Sequence, residues 1–270
     1  MSKKTNKKSQ RSKIKNVVKS NVVKNNEKTN IVTSGYSQVE VEKEKPINIC
    51  IGIPHTGLFH WQVLTALLSL KFPKNCRLTY HMIGSSLVYE ARESIGNFAI
   101  KNNVDYCVFL DSDMVPPNDM INKMLHALET HPEVGLITGM AFKRIPPFQP
   151  CFYTKLGYNT KTMQPILESP LKFPKEGMLE IQGCGMACCM VRTSVFKEIE
   201  KPWFFPMPNL GEDLTFCIKA KHKKIRMLVD LSIDVGHVAT MPIHADHFIT
   251  CRDEHEKLDN GKPLFEEVKE

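Results

Sequence analysis

Asp111 and Asp113 stand two residues apart at the end of an apolar run, Tyr106-Cys107-Val108-Phe109-Leu110. Paired carboxylates at that spacing suit a hard divalent cation, or a cation and a sugar hydroxyl, because such ions take oxygen ligands. In extended chain the two side chains face the same side, roughly 7 Å apart at Cα by strand rise. An Asx-type turn or helix cap ahead of Pro116 and Pro117 uses the same residue types. The apolar run favours a metal site: it reads as a buried parallel strand, and open α/β sheets bind their ligands at the carboxyl ends of such strands.

Glu212-Asp213, after Gly211, and His237, 24 residues beyond Asp213, are the other groups able to do chemistry. A carboxylate at a helix start can serve as a base, although acidic residues there also simply complement the helix dipole. A neutral imidazole is an available metal ligand near pH 7, where a lone histidine at a strand end is otherwise a surface or core residue.

The elements that must position these groups alternate from Ile47 onward. Ile47 to Ile53 reads as a strand ending at Pro54-His55-Thr56-Gly57, and Phe59, Val63, Leu64, Leu67 and Leu68 recur at helical spacing. Leu78 to Ile83 reads as a second strand, with a helix from about Leu87 to Lys101 that keeps Leu87, Ala91, Ile95 and Phe98 on one face and projects Arg92 away from it. A helix from about Asn118 to Thr130 turns Met120, Met124, Leu125 and Leu128 inward, and Val134 to Met140 is the next strand. This β-α-β-α-β-α-β order predicts an α/β fold, a mostly parallel central sheet with helices on both faces. The second half is less regular: residues 150 to 178 read as loop-rich, Met178 to Ile181 and Met186 to Val191 as strands, Ile199 as the end of a short helix, Leu214 to His222 as a helix and Arg226 to Val229 as a last strand.

Charge separates a tail from the rest. The net charge is +7, yet residues 1–30 hold ten Lys or Arg and one Glu, leaving 26 basic and 28 acidic residues beyond them. With few large apolar groups to offset the entropy of ordering, residues 1–45 read as a disordered basic tail and 46–270 as one domain, with halves 46–147 and 148–270. Nothing in the tail resembles a secretory signal, no apolar stretch approaches a membrane span, and no specific nucleic-acid partner is expected of a near-neutral folded part. Nine scattered cysteines, several inside apolar runs, read as reduced core thiols of a cytoplasmic protein.

Taken in order, Pro54-His55-Thr56, Glu90-Ala91-Arg92, Asp111-Ser112-Asp113 with Met114-Val115-Pro116-Pro117, Gly139 to Pro147, Trp203-Phe204, Gly211-Glu212-Asp213 and His237 resemble the GT-A glycosyltransferases, most closely the inverting family-two-like group of bacteria, archaea and phages. The resemblance covers roughly Ile47 to His237. It implies the GT-A (nucleotide-diphospho-sugar transferase) fold, with residues 46–147 binding the nucleotide sugar and 148–270 the acceptor: a glycan, protein or lipid-linked sugar. It implies Mn²⁺ or Mg²⁺ held by Asp113 and His237, with Asp111 a ligand directly, through water or through the donor ribose. By the same resemblance Asp213 is the base and Glu212 orients the acceptor, Pro54, His55 and Thr56 meet base and ribose, Arg92 meets the phosphates or base, and Gly183 to Gly185 and Trp203 line the acceptor side. The chain departs from the family where Pro-His-Thr replaces the common end of the first strand and where no aspartate follows Ile83-Gly84-Ser85, which leaves the nucleotide base open. Two other classes fit some of the residues: a haloacid-dehalogenase-like phosphotransferase using Asp111-Ser112-Asp113-Met114-Val115, and a GT-A-shaped binding module without turnover.

Overall fold

The computed structural model describes residues 45–145 and 147–240, so the basic tail expected at the amino end lies almost wholly outside the described residues. From β1 (Ile47–His55) the chain runs through α1 (Trp61–Ser69), β2 (Cys76–Gly84), α2 (Val88–Lys101), β3 (Tyr106–Leu110), β4 (Met114–Val115), α3 (Met120–Thr130) and β5 (Val134–Met140). The hydrophobic pattern explains these elements. In β1, Ile49, Ile51 and Ile53 enter one core and Cys50 the other, so both faces of the strand are covered. Gly52 lets α2 lie close on the sheet, since a Cβ there would stand 2.3 Å from Ile95 Cγ2. In α3, Met120, Met124, Leu125 and Leu128 are buried as their spacing predicts.

The second half holds more strand than its composition suggests. It contains β6 (Phe152–Tyr153), β7 (Lys155–Asn159), β8 (Gln164–Glu168), β9 (Met178–Ile181), β10 (Gly183–Cys184), β11 (Cys188–Arg192), α4 (Val195–Glu198), α5 (Glu212–His222), β12 (Arg226–Asp234) and β13 (Gly236–His237). β7 and β8 form a hairpin within the stretch expected to be loop-rich. At its turn, the Asn159 side chain accepts hydrogen bonds from the backbone N–H of Lys161 and Thr162.

Seven strands form the main sheet in the order β2-β1-β3-β11-β5-β12-β9. The pairs β1–β2, β1–β3 and β5–β12 are parallel, whereas β11 is antiparallel to both β3 and β5, and β9 is antiparallel to β12. The sheet is therefore mixed rather than mostly parallel. Because β11 opposes both of its neighbours, β3 and β5 still point the same way. Five strands thus deliver their carboxyl ends to one edge, and β11 begins there.

Helices cover both faces. α1 and α3 enclose one core with Ile49, Val108, Leu110, Ile137 and Met190; α2, α4 and α5 enclose another with Cys107, Phe109, Val191 and Val229. Trp203, resembling an acceptor-side residue, belongs to the second core: it is buried, tilted against Phe196 at 5.0 Å, and its indole N–H donates to the Ile199 carbonyl at 3.2 Å. It offers no free face for a sugar. All eight described cysteines are free thiols, seven of them buried. Among the described residues, no helix is long and apolar enough to cross a membrane.

Candidate functional site

The sheet edge that collects the carboxyl ends of β1, β3, β5 and β12 also receives the amino ends of β11, α2 and α5, so residues far apart in sequence converge there. β3 ends at Leu110 and the chain turns at once, with the Met114 N–H donating to the Asp111 carbonyl at 3.1 Å. The acidic motif is thus a turn and a site together. Since the segment is not extended, its two carboxylates do not share one direction.

Asp111 faces inward. Both of its oxygens accept from Arg92 Nη2 at 2.9 Å, while Arg92 Nη1 donates to Glu212. Arg92, expected to project away from the apolar face of α2, is buried at 4% exposure. A guanidinium fork can bridge two carboxylates on different elements, which a point charge cannot do. Burial alone would lower the Arg92 pKa, but Asp111, Glu212 and Asp213 outweigh it and hold the guanidinium well above its ordinary value. Its Nε has no hydrogen-bond partner among the described residues.

Asp113 faces a second group. β4 and β13 form a short antiparallel ribbon that pairs Met114 with His237 and Val115 with Gly236, and the Val238 N–H donates to the Asp113 carbonyl at 2.8 Å. This ribbon sets His237 Nε2 at 3.4 Å from Asp113 Oδ2, while His237 Nδ1 lies 2.7 Å from the Phe142 carbonyl. A carbonyl only accepts, so Nδ1 carries the proton and Nε2 is aimed at the carboxylate. Two lone pairs facing each other require a cation between them, either a proton or a metal. The hydrogen bond with Asp113 raises the His237 pKa; for Asp113, burial pushes upward but His237 and Arg144 pull it below its ordinary value.

The fit to a divalent ion follows from this donor set. Two ligands at right angles on an octahedral ion, with bonds of about 2.1 Å, stand roughly 3 Å apart, close to the Asp113–His237 separation. Asp111 does not complete a triad. Among the described residues no three His, Cys, Asp or Glu side chains cluster as a metal site, and Asp111 is turned to Arg92 instead. An ion here would have two protein ligands and would take its remaining oxygens from water or a bound phosphate, a common arrangement for Mg²⁺. The charge balance agrees: Asp111, Asp113, Glu212 and Asp213 face the cations Arg92 and Arg144 and the imidazole of His237.

Asp213 sits in the first turn of α5, partly buried, with Oδ1 accepting from the Leu214 N–H at 2.7 Å. Burial is the largest cause that raises its pKa, to about 6, with Glu212 and Asp111 adding to it against the opposing pull of Arg92. A carboxylate tuned toward neutrality suits a general base. Gly211 makes room for it, since a Cβ there would lie 2.6 Å from Asp213 Oδ1. Gly185, before β11, borders it from the other side: a Cβ there would stand 3.6 Å from Asp213 Oδ2. Gly183 serves packing, its α-carbon pressed against Leu156 and Cys217.

Pro54 and His55 end β1, beside Asp111's strand, and Thr56 follows. His55 Nδ1 accepts from the Gly57 N–H at 3.1 Å and its ring lies over Gly84, which shapes the turn. The residue missed in the sequence is Arg144, whose Nη1 reaches Asp113 Oδ2 at 3.1 Å although its side chain is 55% exposed. Its signal was the Lys143-Arg144 pair after β5, on the same edge.

No protein-family model matches the sequence, and no curated protein matches it. Among solved structures, A197 from STIV aligns with a TM-score of 0.52 at 18% identity, over 72% of this chain and 86% of that one. A crystal structure described as GalNAc-T7 with UDP, GalNAc and Mn²⁺ aligns with a TM-score of 0.52 at 12% identity, over 74% of this chain and 45% of that one. The likeness is one of fold. It is an α/β, Rossmann-like arrangement in which a mixed sheet is flanked by helices, and at these identities it carries no residue role.

Proposed function

We propose that this chain is a GT-A glycosyltransferase, moving a sugar from a nucleoside-diphosphate donor to an acceptor with inversion, and dependent on Mn²⁺ or Mg²⁺. The observation that carries the reading is the pairing at one sheet edge of an Asp113–His237 site, suited to a cation, with Asp213, a partly buried carboxylate whose pKa is raised to about 6. The fold likeness to a protein solved with UDP, GalNAc and Mn²⁺ supports it.

In this reading Asp113 and His237 hold the ion, which when bound neutralises the charge developing on the departing diphosphate as a Lewis acid. Arg144, exposed and already on Asp113, is free to swing to the diphosphate. Pro54, His55 and Thr56 border the nucleotide. Asp213 takes the proton from the acceptor hydroxyl as the bond to the sugar forms. Glu212 and Asp111 are positioning groups: with Arg92 they tie α5 to β3 and so fix where Asp213 stands relative to Asp113.

The phosphotransferase reading loses support here. Its nucleophile would be Asp111, yet both oxygens of that carboxylate accept from a buried arginine. Calorimetry with nucleoside diphosphates, with and without Mn²⁺, tests the assignment. Metal-linked binding is expected in the wild type and in Asp213→Asn, which also loses transfer, while Asp113→Ala loses the metal-linked part. Turnover of a simple phosphate ester with burst labelling of Asp111 would overturn the proposal.

A further inference from the structure

α1 presents an apolar face to the outside. Val63, Ala66 and Leu67 are buried, and the opposite side carries Trp61, Leu64, Thr65, Leu68 and Ser69, with Trp61 72%, Leu64 50% and Leu68 82% exposed. The two hydroxyls do not make this face polar. Thr65 Oγ1 donates to the Trp61 carbonyl at 3.0 Å and Ser69 Oγ to the Ala66 carbonyl at 2.8 Å, so both are spent on the helix backbone. Leu58 and Phe72 extend the stripe at its two ends. On edge strand β2, the exposed Tyr80 and Met82 lie on the same side of the sheet as Leu78, which packs into the core under α1.

Among the described residues charge near the stripe is mostly basic: Asp119, next to the Asn118 carbonyl that accepts from the Lys71 N–H, is itself paired with Lys123. From Lys45 through Tyr89 the sequence contains no Asp or Glu, while Lys71, Lys74 and Arg77 follow the carboxyl end of α1. An apolar stripe of this extent on a surface marks an interaction site. A helix with Trp and Leu on its outer face and Lys71, Lys74 and Arg77 just beyond its carboxyl end matches the requirements of an anionic bilayer surface, into which the apolar side chains insert while the basic groups meet headgroup phosphates.

We infer that the α1 face, from Leu58 to Phe72, docks this protein on anionic lipid surfaces. The inference stands independently of the transfer chemistry. It can be read directly, since the chain has two tryptophans and Trp203 is buried. Full-length protein mixed with phosphatidylcholine/phosphatidylglycerol vesicles is expected to show a blue shift of Trp61 emission and quenching by brominated lipid; vesicles of phosphatidylcholine alone are expected to bind far more weakly. Leu64→Glu/Leu68→Glu is expected to melt like wild type, because both side chains are exposed, and to bind the anionic vesicles roughly a hundredfold less tightly. If the double variant does not fold, Leu68→Ser alone carries the same comparison. Vesicle binding unchanged in the variant would assign it to the basic residues 1–30 and overturn the inference. So would an absence of quenching at Trp61, or a dimer that sediments in wild type, disappears in the variant and forms without any vesicle binding.

Discussion

Arg92 shows how one side chain can tie two elements together at the candidate site. It pairs with both Asp111 and Glu212 while nearly fully buried. Removing one member of a buried ion network leaves its partners as uncompensated charges, at a cost of about 3–5 kcal/mol. Arg92→Ala is therefore expected to lower unfolding free energy by about that amount in urea titration, and Arg92→Lys to recover only part, because an ammonium cannot span both carboxylates. A loss in Arg92→Ala no larger than that of an exposed arginine would refute the network. Asp213 lends itself to a pH test. Acting as a base, it must be ionised, so transfer is expected to fall as pH drops through about 6, the value to which burial first raises it. Its stability effect has the opposite sense. A carboxyl whose folded pKa lies above its unfolded value is penalised when ionised, so the cost is absent below the unfolded pKa and complete above about 6. Asp213→Asn is expected to melt higher than wild type at pH 8 and indistinguishably from it at pH 3, a difference that a thermal melt at both pH values would detect.

The elements deliver these residues in ways that sequence pattern reveals unevenly. β3 was legible because five consecutive buried residues end at carboxylates, and Val134–Met140 because its apolar run is bounded by a turn on either side. The direction of β11 was not legible. Cys188, Cys189, Met190 and Val191 are all buried, and a strand covered on both faces has the same composition whichever way it runs. The burial of Arg92 was also hidden, since its partners lie 19 and 120 residues away, and an arginine opposite an apolar helical face is solvated by default. The start of α5 yields a test at this scale. Gly211 has ordinary helix-entry dihedrals, so alanine there meets no backbone barrier, although as a poorer N-cap residue it costs on the order of 1 kcal/mol. Yet its Cβ would press on Asp213 Oδ1. Gly211→Ala is expected to lower the melting temperature by only about 2–4 °C, while displacing Asp213 and lowering kcat far more than donor affinity. Unchanged kcat would separate Asp213's position from the reaction.

At the scale of the whole molecule, the proposed cation pair and the proposed base come from different elements that meet at one edge of the sheet. Asp113 comes from the turn after β3, His237 from the ribbon after β12, and Asp213 from α5, so the site is complete only when the sheet and both helical layers are assembled. A ligand bridging Asp113 and His237 therefore binds the native state alone and shifts the unfolding equilibrium by mass action. At a hundred times its dissociation constant that shift is about 2.7 kcal/mol, or roughly 5–10 °C in melting temperature for a chain of this size. Mn²⁺ with a nucleoside diphosphate is expected to produce a rise of this order, with each alone producing much less, since in the proposed site the ion would have two protein ligands and would need phosphate oxygens to complete its shell. In Asp113→Ala and His237→Ala the joint rise should vanish, and EDTA should abolish it in wild type. Arg144→Ala discriminates further: it frees Asp113 Oδ2 from a competing cation yet deprives the diphosphate of a guanidinium. The stabilisation by Mn²⁺ alone should then grow while that by the pair shrinks. If the diphosphate alone gave the full rise in the presence of EDTA, the anion would be held by arginines and backbone without an ion, and the metal assignment of Asp113 and His237 would be wrong.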